Sequence, residues 1–260
     1  MSFLLYSIMG GGMTAFGAIL GLSVSAGVPW PGIPNLVMGV VFGFSLVIIL
    51  ISGASLVTAD IVLGITGIFH KRISWLQFLL FIVVSYIGNA IGSMMVSLLV
   101  YFGGSGHSTA SWLLRARQIA ASKTGLTDLQ AFAMGIFCTW ILQTAVVLFF
   151  LMRSETGKIT IAYYGPLAFV AGMTEHCIAN IGFIALPILQ QTFFSEITGK
   201  VLTAAGPTAQ LSWEFSQYGW AHNQIFTLMG NFVGGAVLVG LMIHFISNPH
   251  RVMLLYKSFI

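Results

Sequence analysis

The chain is short of charge. Of its 260 residues only 6% are Asp, Glu, Lys or Arg, whereas 57% are hydrophobic, and mean hydropathy is +0.96. A soluble domain of this length cannot hide so much apolar surface, so the solvent for most of the chain is lipid. The few charges sum to +4, but the ten Lys and Arg are scattered through predicted loops and make no face for nucleic acid. Cysteine is scarce too. Cys138 and Cys177 lie in apolar segments without metal-site spacing, so they read as small packing residues, and no metal or cofactor is expected. No basic segment precedes the first apolar run, which argues against a cleavable signal peptide.

Long apolar runs are abundant. They cover roughly 3–26, 34–69, 74–102, 128–152, 160–191 and 222–247. A crossing needs about 20 residues, so the second and fifth runs are too long for one simple pass. Both are interrupted by small and polar residues, at Gly53-Ala-Ser-Leu-Val-Thr58-Ala-Asp60 and from Gly172 to Asn180. The reading is an all-α integral membrane protein with six transmembrane spans, the second and fifth each broken, in a single channel domain over residues 1–260. An even number of spans puts both termini on one side with Lys71, Arg72, Arg153, Lys158, Arg251 and Lys257, opposite Arg115, Arg117, Lys123 and Lys200. That bias favours cytoplasmic termini and a multi-pass protein of the inner (plasma) membrane.

Gly88-Asn-Ala-Ile-Gly92 in the third run returns as Gly230-Asn-Phe-Val-Gly234 in the sixth. Two units of three spans, each with a broken middle helix, form the pattern of a 3+3 inverted repeat, and paired breaks point to a mid-membrane site. Close helix packing accounts for the glycines by themselves; the recurring Asn asks for more. Backbone groups freed at a break must line protein or an aqueous path. Half-helix N-termini carry partial positive charge, so meeting breaks suit an anion better than a cation.

The segment Gly172-Met-Thr-Glu-His176-Cys-Ile-Ala-Asn180 sets an ionisable pair and an amide within a span-length apolar run. A charge at mid-bilayer costs about 3 to over 10 kcal/mol by different estimates. Such groups therefore face a cavity, a partner or a permeating species, or else His176 is a buried neutral imidazole bonded to a freed carbonyl. Glu175 is expected to anchor the break, and Asn180 to satisfy a backbone group there.

Taken together, Glu175-His176-x-x-Ala179-Asn180, the two Gly-Asn-x-x-Gly segments, Leu56-Val57-Thr58, Lys123 before the fourth span and Trp220-Ala-His222-Asn223 before the sixth resemble the formate/nitrite transporter family. The match runs from about Tyr6 to Ile246. The resemblance implies an aquaporin-like protomer, a homopentamer with a pore in each protomer, and a small monovalent weak-acid anion as substrate, formate or nitrite first, with hydrosulfide and bicarbonate as alternatives. It also implies pore constrictions formed or flanked by Phe42, Leu46, Leu56, Val57 and Phe169. Thr58 and His176 would face a chamber between them, with Lys123 nearby, and these three with Asn180 would make the substrate and proton relay.

Some positions depart from the family. Ser55 stands where an acidic residue is common, Val57 where an aromatic is, and Thr139 where an Asn is usual; Asp60 replaces a small or amide residue. The first span begins almost at Met1, so no N-terminal amphipathic plug is expected. A haem-ligating membrane anchor, the reading from another class, needs two histidines on facing helices at one depth, and only His176 is clearly mid-membrane. An intramembrane hydrolase needs a nucleophile, a base and an orienting partner, and no Asp is indicated near His176. Paired Asn-Pro-Ala breaks, the mark of aquaglyceroporins, are absent. His222 reads as an interfacial cap; His70, His107, His244 and His250 lie at span ends or in loops.

Overall fold

The computed structural model describes residues 1–104, 107, 109–193 and 210–247. Lys200, His250, Arg251 and Lys257, three of which enter the charge bias, lie outside the described residues. Helices dominate: α1 (Ser2–Ser25), α2 (Ile33–Phe42), α3 (Phe44–Ser52), α4 (Val57–Phe69), α5 (Trp75–Gly103), α6 (Ala110–Thr124), α7 (Asp128–Leu151), α8 (Glu155–Ala171), α9 (Cys177–Phe193) and α10 (Trp220–Val233). The last continues through a π-helical stretch, Gly234–Leu241, into α11 (Met242–Ser247).

Among the described residues five helices are long and apolar enough to cross a membrane: Ser2–Ser25, Ile33–Ser52, Trp75–Gly103, Asp128–Leu151 and Trp220–Ile246. They leave between a third and a half of their apolar stretch buried inside the protomer, and the rest presents Leu76, Leu79, Leu80, Leu99, Phe102, Phe150 and Leu151 outward. A helix with apolar residues on its exposed side as well is at home in lipid.

The long second run divides at Gly53. Gly53 takes φ 72°, closes α3 through its N–H to Ile49 O, and the chain is extended at Leu56 before α4 starts. The fifth run divides in the same manner at Met173, φ 54°, between α8 and α9. The two runs break unequally: Ile33–Ser52, with 20 residues, is of spanning length by itself, while α4 has 13.

Two tight helix pairs organise the rest, α1 with α5 and α7 with α10. A methyl group on Gly92 would strike the α1 backbone at Ile8, and one on Gly88 the Cβ of Ser7 on α1. On Gly230 or Gly234 it would strike the α7 backbone at Phe132 and Ile136. The glycines thus let two backbones touch, as small residues do between membrane helices. Capping boxes start α5 (Ser74 with Gln77) and α7 (Thr127 with Gln130).

One helix was not expected. The sequence reading leaves residues 103–127 as a loop, but α6 occupies most of it and buries Trp112, Leu113, Ala116, Ile119, Ala120 and Lys123. Those positions recur at helical spacing; three basic residues mask the pattern by lowering its hydrophobicity.

Gly92→Ala and Gly230→Ala should each abolish recovery of monodisperse protein in detergent, because backbone cannot yield to the new methyl group. Gly103→Ala, with nothing within 4 Å, should be recovered like the wild type.

Candidate functional site

Each break is held by one asparagine. Asn89 Oδ1 accepts from Val57 N (2.8 Å), and its Nδ2 donates to Ser55 O (2.8 Å) and to Ser7 O on α1 (2.7 Å). Asn231 Oδ1 accepts from Cys177 N (2.8 Å), and its Nδ2 donates to Glu175 O and to Gly135 O on α7, both at 2.9 Å. The flanking backbone bonds correspond as well: Ser55 N donates to Tyr6 O, and Glu175 N to Met134 O. A primary amide has both a carbonyl and an N–H₂ in a fixed plane, so one side chain can satisfy a helix-start N–H and a break carbonyl and also bond a carbonyl of the neighbouring helix. This is the use of the recurring Asn in Gly-Asn-x-x-Gly. Asn180, expected to serve a backbone group, instead donates to Glu175 Oε2 (2.6 Å) and Asn223 Oδ1 (2.9 Å).

The clamps bring the starts of α4 and α9 together. Thr58 Oγ1 lies 3.1 Å from His176 Nε2. His176 Nδ1 accepts from Ala179 N at 3.2 Å, so that nitrogen presents a lone pair and a neutral ring carries its proton on Nε2, toward Thr58. An Nδ1–H would meet the Ala179 N–H head-on. The imidazole stacks on Phe169 with centroids 5.4 Å apart. Phe169 meets Phe42 edge-on at 5.4 Å, and Phe42 lies against Phe183 at 5.9 Å.

Three cavities follow one another past these rings. The first, about 10 Å³, is bordered by Lys123, Asn180, His176, Phe169, Phe183 and Met38, among others. The second, also about 10 Å³, shares Phe169 and His176 with it and adds Thr14, Phe42, Ser45, Leu46, Ile49 and Leu56. The third, about 320 Å³, shares Leu46, Ile49 and Leu56 with the second and opens past Ser55, Asp60 and Tyr6. A space of about 10–15 Å³ holds one water, so the two small cavities each accommodate one small molecule at most. Aromatic and aliphatic side chains separate all three.

Beside the first cavity sits a polar cluster. Lys123 Nζ, on the last turn of α6 and not in a loop, donates to Glu175 Oε1 (2.8 Å) and Thr174 O (3.0 Å). Asn223 Nδ2 bonds Glu175 Oε2 (2.9 Å) and Lys123 O (3.0 Å). The carboxylate is therefore saturated, while the ammonium keeps a third N–H that no described residue accepts. Asn180 Oδ1 likewise has no partner among the described residues. Arg115 and Arg117 serve as anchors, bonding Ser25, Asn35 and Gln191. Burial holds the His107 pKa below its ordinary 6.5, so at neutral pH it adds no charge on that side. His222 is paired with Asp128 at the start of α7, at 2.8 Å.

At the first break the polar pair is exchanged. Ser55 and Ser85 both donate to Asp60 Oδ2, whereas at the second the carboxylate comes first, as Glu175, and its donor Asn180 follows. Val57 is fully buried but borders none of the three cavities, and Thr139 packs against Gly234 and Gly235 of the π-helical stretch. Phe183, Ile49 and Asn223 were missed. Phe183 lies two turns beyond His176, and Ile49 two turns beyond Phe42, so helical spacing from a candidate pore residue would have found both.

Comparison with known proteins gives one family. The model of the formate/nitrite transporter family matches residues 1–245. The formate channel FocA of Haemophilus influenzae is 28% identical over 230 residues, 88% of this chain and 79% of that one. The nitrite transporter NirC of Escherichia coli K12 is 27% identical over 242 residues, 93% and 82%. A solved pentameric formate channel with formate bound superposes with a TM-score of 0.80 at 27% identity, covering 95% of this chain and 96% of that one.

Two consequences are measurable by thermal unfolding in detergent. Asn231→Ala and Asn89→Ala each lose three hydrogen bonds of about 1 kcal/mol apiece, so each should melt well below wild type. Glu175→Gln leaves a buried ammonium unpaired, a loss of about 3–5 kcal/mol, and adding Lys123→Met to it should recover much of that stability.

Proposed function

The chain belongs to the formate/nitrite transporter family, and from that premise we propose that it is a membrane channel or proton-linked transporter for a small monovalent weak-acid anion, formate or nitrite, through a pore in each protomer. The observation that carries this is the series of three cavities sharing Phe169 and His176, then Leu46, Ile49 and Leu56. A bare anion crossing such apolar rings loses hydration without compensation, which costs many kcal/mol. The neutral acid escapes most of that penalty, so the anion must take a proton before the narrow parts and give it up afterwards.

The residues divide this work. Lys123, neutralised in part by Glu175, offers its remaining N–H to an arriving anion beside Asn180. The starts of α4 and α9 converge at Thr58 and His176 and add partial positive charge. His176 borders the two small cavities and, as a neutral imidazole, donates from Nε2 to Thr58; Thr58 itself borders none of the three cavities, so its part is to fix the imidazole rather than to meet the substrate. The proton itself then comes with the substrate from water, and Thr58 orients the ring that lines the path. Phe42, Phe169 and Phe183 form the constriction on the Lys123 side; Leu46, Ile49 and Leu56 form the other.

The same reading covers the architecture. The duplicate Asn clamps, the paired left-handed residues at Gly53 and Met173, and the matched α1–α5 and α7–α10 contacts support six spans in a 3+3 inverted repeat with broken second and fifth spans, a single domain over 1–260. The pentameric relative supports a homopentamer, and the excess of Lys and Arg on one side supports an inner-membrane protein with cytoplasmic termini. Hydrosulfide and bicarbonate are the alternative substrates; bicarbonate, with four heavy atoms, fills the small cavities less easily than formate or nitrite, with three.

Flux into proteoliposomes carrying an internal pH dye tests the proposal. Formate or nitrite should acidify the lumen of wild-type vesicles, with hydrosulfide and bicarbonate slower. Lys123→Ala and His176→Ala should reduce that flux at least severalfold while remaining folded. Wild-type vesicles indistinguishable from empty ones for all four ions would sink the proposal.

A further inference from the structure

The third cavity holds a carboxylate that the Lys123–His176 path does not use. Asp60 stands in the first turn of α4, only 5% exposed, and borders the cavity on the far side of Leu46 and Leu56 from His176. Its surroundings differ from those of Glu175. Glu175 has an ammonium 2.8 Å away and two amides besides. Asp60 has hydroxyls alone, from Ser55 and from Ser85 on α5, both on Oδ2, and no described residue donates to Oδ1. Among the described residues no Lys, Arg, His or other carboxylate borders the cavity; the phenol of Tyr6 on α1 is the only other titratable group there, and Val146 and Phe150 of α7 close the remaining side.

Burial without a cation favours the neutral form of a carboxylate and so makes it a ready proton acceptor, whereas pairing with an ammonium holds it charged. The position therefore suits a proton acceptor at the exit of an apolar ring. We propose that Asp60 is the proton-exchange residue of this mouth of the pore, taking the proton of the weak acid emerging between Leu46 and Leu56. The inference rests on the transport reading above. The O–H bond of the acid breaks and an O–H bond forms on Asp60 Oδ1. The anion leaves through the wide cavity, and the Asp60 carboxyl then passes its proton to water there. Transport in the other direction reverses each step. Between turnovers the ionised Asp60 repels free anions from the ring, so the mouth admits the neutral acid and rejects the bare ion.

Two measurements test this on the full-length protein in proteoliposomes. In the first, formate-driven acidification and radiolabelled formate uptake are measured together under a potassium–valinomycin clamp. Asp60→Asn, which keeps size and hydrogen bonding, should still move formate but with a severalfold lower ratio of protons to formate, and its uptake should become sensitive to voltage. In the second, the wild type is treated with dicyclohexylcarbodiimide, which adds only to protonated carboxyls. The peptide carrying Asp60 should be modified in parallel with loss of flux, and the peptide carrying Glu175 should not. An Asp60→Asn protein with wild-type ratio and no voltage sensitivity overturns the inference while leaving the transport reading intact. An unmodified Asp60 overturns it even where the Asn variant fails to fold. Wild-type vesicles that move no formate or nitrite overturn both.

Discussion

The structure depends on satisfying backbone polar groups where two helices stop inside an apolar layer. Lipid supplies no hydrogen bonds, and each freed N–H or C=O left facing it costs several kcal/mol. Asn89 and Asn231 remove that cost. Each sits between glycines that bring its helix against a neighbouring backbone, and each ties three backbone groups from two other segments. With the breaks secured, α4 and α9 can begin beside one another, and Thr58 and His176 come within hydrogen-bonding distance across 118 residues of sequence. Without close glycine packing the amides would not reach; without the amides the breaks could not stay dry.

From that junction the electrostatics follow. Two helix starts contribute partial positive charge at the same depth, which suits an anion. Formal charge is held by close partners: Lys123 is paired with Glu175, and Asp60 accepts from two serine hydroxyls. In the proposed transport the apolar rings on either side make charge expensive and so favour the protonated substrate. Attraction then falls to Lys123 and the helix starts, and exclusion to Phe42, Phe169, Leu46 and Leu56.

The exchanged pair at the first break shows how a departure in sequence can be internally consistent. Read singly, Ser55 is a missing carboxylate and Asp60 an intrusive one. In the fold they are one unit, since the serine hydroxyl donates to the aspartate, just as Asn180 donates to Glu175 at the second break. Val57, by contrast, lies in the packed core with its amide on Asn89 and away from the cavities. A position inside a motif does not by itself say which way a side chain faces at a break, because neither helical nor strand periodicity holds there.

Hydropathy and polar interruptions determined a good deal unaided. Low charge with long apolar runs demands lipid, and small polar residues mark interruptions of the second and fifth runs at Gly53 to Asp60 and Gly172 to Asn180; the structure set the turning points within them, at Gly53 and Met173. The recurring Gly-Asn-x-x-Gly also marks residues whose types cannot be filled by others. Tertiary structure alone decided which groups meet. Lys123 reads as a solvated loop cation until α6 forms and buries it on Glu175. Asn180 reads as a backbone partner until Asn231 takes that place. Periodicity reports local geometry within one helix, but these pairings span helices far apart in the chain, and only packing sets the distances between them.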